Sequence, residues 1–179
     1  MVPIRDIFEE FVGYCQANYQ VGENVTIDEM LEAFRGRCKF RQYIPSKPAR
    51  YGIKVYALVD SSEFYTFNLE IYAGKQPKGP FQTDNKAVSV VKRLAEPILN
   101  TGRNITMDNY FTSVPLALDL LEKRTTLVGT LRKNKREIPP LLLEMGQRQV
   151  RSSMFAFLRR GIILSQEKKE HFITVNNAF

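Results

Sequence analysis

The feature that most constrains the fold is the change of apolar period along the first part of the chain. Apolar side chains recur every three or four positions over residues 4 to 15, which predicts an amphipathic helix at about residues 3 to 18, with Cys15 in its apolar stripe and expected in the core. The pattern then alternates with a period of two. This alternation predicts a short strand at residues 25 to 28, and residues 51 to 60 and 64 to 72 are typical of a hairpin.

Helical and extended patterns alternate after a loop rich in glycine, proline and lysine. Helices are predicted at about residues 85 to 97, capped by Thr83 or Asp84, and at 113 to 122, capped by Ser113. The remaining predicted elements are strands at residues 105 to 108 and 125 to 131, a short helix at 141 to 143, and short strands at 154 to 158, 162 to 164 and 172 to 175. This order predicts an α/β fold of the ribonuclease-H-like class. We expect a mixed sheet flanked by helices, with a small β-rich region at the C-terminal end.

Positive charge is concentrated in two stretches. Lys and Arg number 26 against 19 Asp and Glu, which leaves a net charge of +7. The first stretch has no acidic residue and contains Arg35, Arg37, Lys39, Arg41, Lys47, Arg50 and Lys54. The second contains Arg132, Lys133, Lys135 and Arg136. Such clusters on a folded domain indicate a polyanionic partner, most simply nucleic acid, although a merely solvated basic surface stays open as the alternative.

Composition excludes several other classes of protein. Cys15 and Cys38 are the two cysteines and His171 is the single histidine, so the chain can build neither a disulfide framework nor a Cys/His zinc site. His171 is expected to be structural. No apolar run approaches the length of a membrane helix, and the first residues lack the layout of a signal peptide. The sequence therefore predicts a soluble intracellular protein with no membrane partner.

Two aspartates are candidate metal ligands. Asp28 and Asp108 each end a predicted strand, on the side opposite its apolar residues. In a ribonuclease-H-like sheet the first and fourth strands are neighbours, so we expect these carboxylates to converge at one edge. Carboxylates are hard oxygen ligands that suit Mg²⁺ or Mn²⁺, ions that can activate water for phosphodiester cleavage. Acidic residues at strand ends are also common turn formers, and that interpretation stays open.

Four separated motifs resemble the catalytic domain of piggyBac transposases and of piggyBac-derived host proteins. They are VTIDEMLEAFRGRCKFRQYIPSKPARYGIKVYALVD (25 to 60), NITMDNYFTSVPLALDLL (104 to 121), LVGTLRKNKREIP (127 to 139) and SSMFAF (152 to 157). The resemblance runs from about residue 4 to the C-terminus. It implies a transposase domain with three catalytic aspartates that uses Mg²⁺ or Mn²⁺ to cut and join DNA at terminal inverted repeats. It also implies a nuclear protein, with a possible homodimer in the full-length form.

The resemblance assigns catalytic and metal-binding roles to Asp28, in Thr-Ile-Asp-Glu, and to Asp108, in Asp-Asn-Tyr-Phe-Thr-Ser. The family's third aspartate lies in a Gly-Gly-Val-Asp block that this sequence does not contain. We therefore expect weak metal binding and a chain that is inactive alone: a single truncated catalytic domain with a leading helix (1–20), a core (24–131) and the start of an inserted region (132–179). The alternative is a domesticated or decayed derivative that binds DNA or protein without catalysis.

The basic clusters are the expected DNA contacts. The predicted DNA-binding residues are Arg35, Arg37, Arg41, Lys47, Lys133, Lys135 and Arg136. Tyr43 and Tyr110 could stack on splayed bases, but core packing is the favoured interpretation for both. Glu29 is not assigned to the metals, because neighbouring residues of a strand project to opposite faces.

Overall fold

The structure is a computed structural model that describes residues 4–79, 82–144, 149, 152–158, 161–167 and 173–177. The chain forms two compact units, Met1–Pro97 and Ile98–Phe179. His171 lies outside the described residues. Among the helices of the described residues, none has the length and apolar character that a membrane crossing requires.

The first unit is an antiparallel sheet with two helices. Its elements are α1 (Arg5–Ala17), β1 (Asn24–Ala33), β2 (Gln42–Tyr43), β3 (Tyr51–Asp60), β4 (Thr66–Ile71) and α2 (Ala87–Ala95), followed by a 3₁₀ turn at Glu96–Ile98. The central strand is β3, which pairs with β1 along one edge and with β2 and β4 along the other. The predicted hairpin and both predicted helices of this unit are confirmed.

Pairing with β3 makes β1 longer than predicted. The antiparallel register runs from Val25 opposite Asp60 to Ala33 opposite Gly52, so the strand continues well past Asp28. At its far end the two backbones approach closely, because a Cβ atom on Gly52 would collide with the carbonyl oxygen of Glu32. The prediction that β1 stops at Asp28 is therefore wrong, since β3 supplies hydrogen-bond partners that local apolar alternation does not reveal.

Part of the core of the first unit lies between the sheet and α2. Ile27 is opposite Leu58 in the register, and both are fully buried, as are Val91 and Leu94 of α2. The side chain of Asn68 donates a 2.9 Å hydrogen bond to the carbonyl oxygen of Leu94, which ties α2 to β4. The caps predicted for α2 are replaced by Lys86, which makes no side-chain capping bond.

Helix α1 is amphipathic but buries none of its side chains completely. Its exposed apolar residues recur every three or four positions, at Ile4, Ile7, Phe11 and Tyr14, and we call them the α1 stripe. Cys15 is half-buried rather than in the core. Its carbonyl oxygen accepts a 3.1 Å hydrogen bond from the hydroxyl of Tyr65.

The second unit is a mixed sheet with the strand order β5-β6-β9-β8-β7. Its elements are β5 (Asn104–Met107), α3 (Val114–Glu122), β6 (Thr126–Leu131), α4 (Pro140–Leu143), β7 (Ser153–Leu158), β8 (Ile162–Glu167) and β9 (Ile173–Asn177). Strands β5 and β6 are parallel and are connected through α3, while the other pairs are antiparallel. Ser113 caps α3 as predicted, because its hydroxyl accepts the N–H of Leu116. The strands predicted in this unit are confirmed over the described residues.

Candidate functional site: two aspartates and two basic clusters

Asp28 lies in the middle of β1, on an exposed position beside the buried Ile27. Its Oδ1 atom accepts a 2.7 Å hydrogen bond from the backbone N–H of Glu29. Glu29 lies on the opposite face, as expected from strand alternation. The sequence therefore predicted the exposure of Asp28 correctly, but the prediction that Asp28 ends its strand is wrong.

Asp108 follows β5 directly and organises the loop after it. Its Oδ1 atom accepts hydrogen bonds from the backbone N–H groups of Tyr110 (2.9 Å) and Phe111 (3.4 Å). The hydroxyl of Thr112 donates a 2.6 Å hydrogen bond to the carbonyl oxygen of Asp108. Phe111 is buried beneath this turn. The loop that carries Asp108 is thus held by local hydrogen bonds and by a packed aromatic ring.

The second basic cluster begins at the same edge of the sheet as Asp108. Because β5 and β6 are parallel neighbours, their C-terminal ends lie together, and Asp108 and Arg132 each follow one of them. The Nε atom of Arg132 donates a 3.1 Å hydrogen bond to Oδ1 of Asn109. Lys133 and Arg136 are exposed and Lys135 is half-buried. The predicted site included neither Arg132 nor Asn109. Arg132 directly follows the parallel strand β6, and Asn109 directly follows Asp108 at the end of β5.

The loop of residues 34–50 forms a basic cavity of about 590 Å³, lined by Ala33, Arg35, Arg41, Pro48, Ala49, Arg50 and Tyr51. The Nη1 atom of Arg41 donates hydrogen bonds to the carbonyl oxygens of Arg35 (3.2 Å) and Gly36 (3.3 Å). The same guanidinium lies 5.4 Å from the ring centroid of Tyr51. Two of the predicted DNA-binding arginines, Arg35 and Arg41, are brought together here. Arg37 is exposed and does not line the cavity.

Two exposed tyrosines face each other on the paired strands β2 and β3. The rings of Tyr43 and Tyr51 lie 4.6 Å apart, and the side chains are 56% and 49% exposed. The favoured interpretation of Tyr43 as a core residue is therefore wrong, because β2 is a two-residue edge strand and leaves the ring exposed. Tyr110 is 40% exposed, and its ring makes an edge contact with that of Phe111.

Lys47 differs from the arginines in having partners on β1. Its Nζ atom donates a 3.1 Å hydrogen bond to the carbonyl oxygen of Glu29 and lies 4.0 Å from Oε1 of the same residue. The side chain is half-buried. Among the predicted DNA-binding residues of the first cluster, Lys47 is therefore already engaged within the protein.

The similarity of this chain to known proteins explains why the aspartates and the basic clusters occur together. A family model described as Transposase IS4 matches residues 1–178. The chain belongs to this transposase family. A piggyBac transposase, solved in a synaptic complex with hairpin DNA, is 41% identical with a TM-score of 0.86, covering 98% of this chain and 37% of that one. The piggyBac-type assignment is thus confirmed, as is the mixed α/β fold of the ribonuclease-H-like class. This chain spans 37% of the length of that relative.

Two endonucleases are structurally more distant from this transposase chain. The catalytic domain of human endonuclease V is 10% identical with a TM-score of 0.34, covering 98% of this chain and 81% of that one. Endonuclease V of Ciona intestinalis, solved with a DNA containing inosine, is 11% identical with a TM-score of 0.32, covering 99% and 83%.

Transposases of this family generally use divalent metal ions. No group of three or more Asp, Glu, His or Cys side chains that could hold a metal occurs among the described residues. Asp28 and Asp108 each present an exposed carboxylate whose Oδ1 atom accepts backbone N–H groups. Such oriented oxygens fit a hard divalent cation but supply only part of its coordination. Asp28 belongs to the first unit and Asp108 to the second, and their convergence stays a prediction.

Proposed function

We propose that this chain forms part of the catalytic domain of a piggyBac-type DNA transposase, with Asp28 and Asp108 as the ligands of Mg²⁺ or Mn²⁺. The observation that carries the proposal is the turn at Asp108. That turn orients a family-motif carboxylate through two backbone N–H groups beside Arg132. A carboxylate held in this way loses little conformational freedom when it binds a cation.

The proposed metal ions would activate water and stabilise the leaving oxygen of a phosphodiester. Residues of this chain would bind both the ions and the DNA. Asp28 and Asp108 would hold the ions, while Arg35 and Arg41 would contact phosphates from the basic cavity. The exposed Arg37, Lys133 and Arg136 and the half-buried Lys135 are proposed as further phosphate contacts, since guanidinium and ammonium groups provide most of the affinity for a DNA backbone.

We also propose that the 179-residue polypeptide does not cleave DNA by itself. The Gly-Gly-Val-Asp block that supplies the third aspartate in piggyBac transposases does not occur in its sequence. Two carboxylates leave a divalent ion with fewer ligands and less balancing charge, so the polypeptide should bind metal weakly. In a longer protein, the proposed partners are transposon terminal inverted repeats and a second copy of the chain, and the proposed location is the nucleus.

A nicking assay tests the catalytic part of this proposal. Wild-type protein, Asp28→Ala and Asp108→Ala would be incubated with Mg²⁺ or Mn²⁺ and a labelled duplex that carries a terminal inverted repeat. We expect no cleavage above that of Asp28→Ala. Robust cleavage that disappears in Asp28→Ala would contradict the proposed inactivity. DNA binding that weakens steeply with salt in all three proteins is expected, and binding insensitive to salt would contradict phosphate contact.

A second candidate function is protein binding without catalysis, and the α1 stripe favours it. Ile7 and Phe11 expose more than half of their side chains on one side of a regular helix. A row of this spacing is typical of a helix that packs against another apolar surface. Sedimentation of the isolated polypeptide over a range of concentrations checks for self-association, and a strictly monomeric Ile7→Glu variant beside a dimeric wild type would support it.

A further inference from the structure

Glu29 links the basic loop of residues 34–50 to two strands of the first unit through its backbone carbonyl oxygen and its carboxylate. Its Oε2 atom accepts a 2.8 Å hydrogen bond from the ammonium of Lys54 on β3. Lys47, from the loop, lies 4.0 Å from Oε1 and donates its 3.1 Å hydrogen bond to the Glu29 carbonyl oxygen. One residue of β1 therefore contacts both the loop and the strand that follows it.

The Lys54–Glu29 pair lies in an environment that makes it stronger than a surface ion pair, while the more distant Lys47 is 31% exposed. The side chains of Lys54 and Glu29 are 13% and 22% exposed. The Lys54 ammonium also lies 4.9 Å from the ring centroid of Tyr56. Partial burial reduces screening by water and salt, so charges at these distances hold their partners more firmly than exposed pairs do.

The placement of Glu29 relates the cluster to the proposed site. Glu29 follows Asp28 directly on β1 and projects to the other face of the sheet. The loop that Lys47 anchors carries the cavity lined by Arg35, Arg41 and Arg50. Fixing Lys47 against β1 thus limits where the loop can place its arginines relative to the strand of Asp28.

We propose that Glu29 is a positioning residue that holds the basic loop in the conformation that binds DNA. The inference rests on the proposed function, because it assumes that the loop contacts phosphates. In this arrangement Lys47 acts as the anchor of the loop through Glu29, and the arginines make the contacts with DNA. Glu29, although acidic, thus increases the affinity of the protein for negatively charged DNA.

A positioning role and a purely electrostatic role predict different changes in DNA affinity when a carboxylate is removed. If charge alone mattered, removing any carboxylate near the basic loop would strengthen DNA binding. Glu32 provides the matched control, since it lies on the same strand, is exposed and makes no ion pair among the described residues. Positioning predicts weaker DNA binding for Glu29→Gln only, whereas a purely electrostatic role predicts equal or tighter binding for both variants.

The experiment compares the affinity of wild type, Glu29→Gln and Glu32→Gln for a short labelled duplex by fluorescence anisotropy at low salt. We expect Glu29→Gln to bind about 5- to 10-fold more weakly, equivalent to about 1 to 1.4 kcal/mol, and Glu32→Gln to bind as well as wild type or more tightly. If Glu29→Gln binds as tightly as Glu32→Gln, the proposal is wrong.

Amide hydrogen exchange without DNA separates failure of this inference from failure of the proposed function. We expect faster exchange across residues 34–50 in Glu29→Gln and unchanged exchange in Glu32→Gln. Unchanged exchange in both variants would overturn the anchoring role, whatever the DNA result. If wild type does not bind DNA at all, the proposed function fails, while the exchange data still decide whether Glu29 anchors the loop.

A second pair of variants covers the case in which Glu29→Gln does not fold. Lys47→Gln and Lys39→Gln each remove one positive charge from the loop, but only Lys47 contacts Glu29. Faster loop exchange in Lys47→Gln than in Lys39→Gln would support the anchor. Equal exchange in the two variants would contradict it.

Discussion

The carboxylate of Asp60 accepts a 2.7 Å hydrogen bond from the backbone N–H of Gly22, which joins the end of β3 to the segment that precedes β1. Its other oxygen accepts the N–H groups of Ser62 (2.8 Å) and Glu63 (3.1 Å) in the turn between β3 and β4. The side chain is 1% exposed. The N–H of Gly22, followed by those of Glu63 and Ser62, holds the pKa of Asp60 below its usual range, although burial opposes this effect.

Replacing Asp60 with Asn should destabilise the first unit in a pH-dependent way. The side chain of Asn has one oxygen, whereas the two carboxylate oxygens of Asp60 accept separate N–H groups. At least one part-buried hydrogen bond to a charged acceptor is therefore lost, at a cost of about 1–3 kcal/mol in the free energy of unfolding. Because the folded pKa is lowered, the contribution of the carboxylate is complete above the ordinary aspartate pKa of about 4. It is lost as pH falls through the lowered folded value.

Denaturant unfolding of wild type and Asp60→Asn between neutral and acidic pH checks this prediction. The difference in the free energy of unfolding should be largest near neutrality and shrink below about pH 4. A difference that is constant with pH would show that the charge of Asp60 does not contribute. Glu63→Gln, which keeps the backbone N–H bonded to Asp60, serves as the control for loss of a nearby carboxylate.

Gly129 should not tolerate a side chain, because the Asp108 turn packs directly against it. A Cβ atom there would lie 2.8 Å from the carbonyl oxygen of Met107 and would collide with Oγ1 of Thr112. Thr112 in turn bonds the carbonyl oxygen of Asp108. We expect Gly129→Ala to cost about 1–3 kcal/mol and to displace the turn. Thermal melting and amide exchange at residues 108–112 measure the two effects.

Replacing Gly13 with alanine should have the opposite effect on the free energy of unfolding. It lies in α1, and nothing comes within 4 Å of a Cβ atom built there. Gly13→Ala should therefore stabilise the protein by about 0.5–1 kcal/mol, since alanine is the better helix former. Equal destabilisation by both substitutions would mean that the close approach at Gly129 is not the cause.

The α1 stripe should tolerate charge in the isolated polypeptide. Ile7 and Phe11 are 71% and 53% exposed, so Ile7→Glu and Phe11→Glu should change the free energy of unfolding by no more than about 0.5 kcal/mol. Leu94, on the buried face of α2, is the contrasting site, where Leu94→Ala should cost about 2–5 kcal/mol. A large loss on charging Ile7 would mean that the stripe is covered in solution, for instance by self-association.

The arginines of the basic cavity should determine the salt dependence of DNA binding. Removing one phosphate contact lowers the slope of log affinity against log salt by about one. We expect that change for Arg35→Ala in a titration with duplex DNA at several salt concentrations. Lys86, which is paired with Asp84 outside the cavity, is the matched control, and Lys86→Ala should leave the slope unchanged. Equal slopes for Arg35→Ala and wild type would contradict phosphate contact by Arg35.

Local patterns predicted the element types because burial of one face imposes a period on the sequence. The stripe that includes Val91 and Leu94 predicted α2, and the alternation around Ile27 predicted β1 and the exposure of Asp28. The motif around Asp108 indicated its role but not the turn that orients its carboxylate. The concentration of positive charge in residues 35 to 54 indicated a basic surface but not the cavity, since charge is a property of composition.

Residue patterns and motifs thus identified the family, the order of the helices and strands apart from β2, and two aspartates as candidate metal ligands. Packing between distant segments revealed β2, the continuation of β1 to Ala33, the exposure of Tyr43, and the contacts of Glu29 with Lys47 and Lys54. The reason is physical. Period and composition report which face of a segment is buried, whereas strand length, ring exposure and ion pairing depend on which distant segment lies alongside.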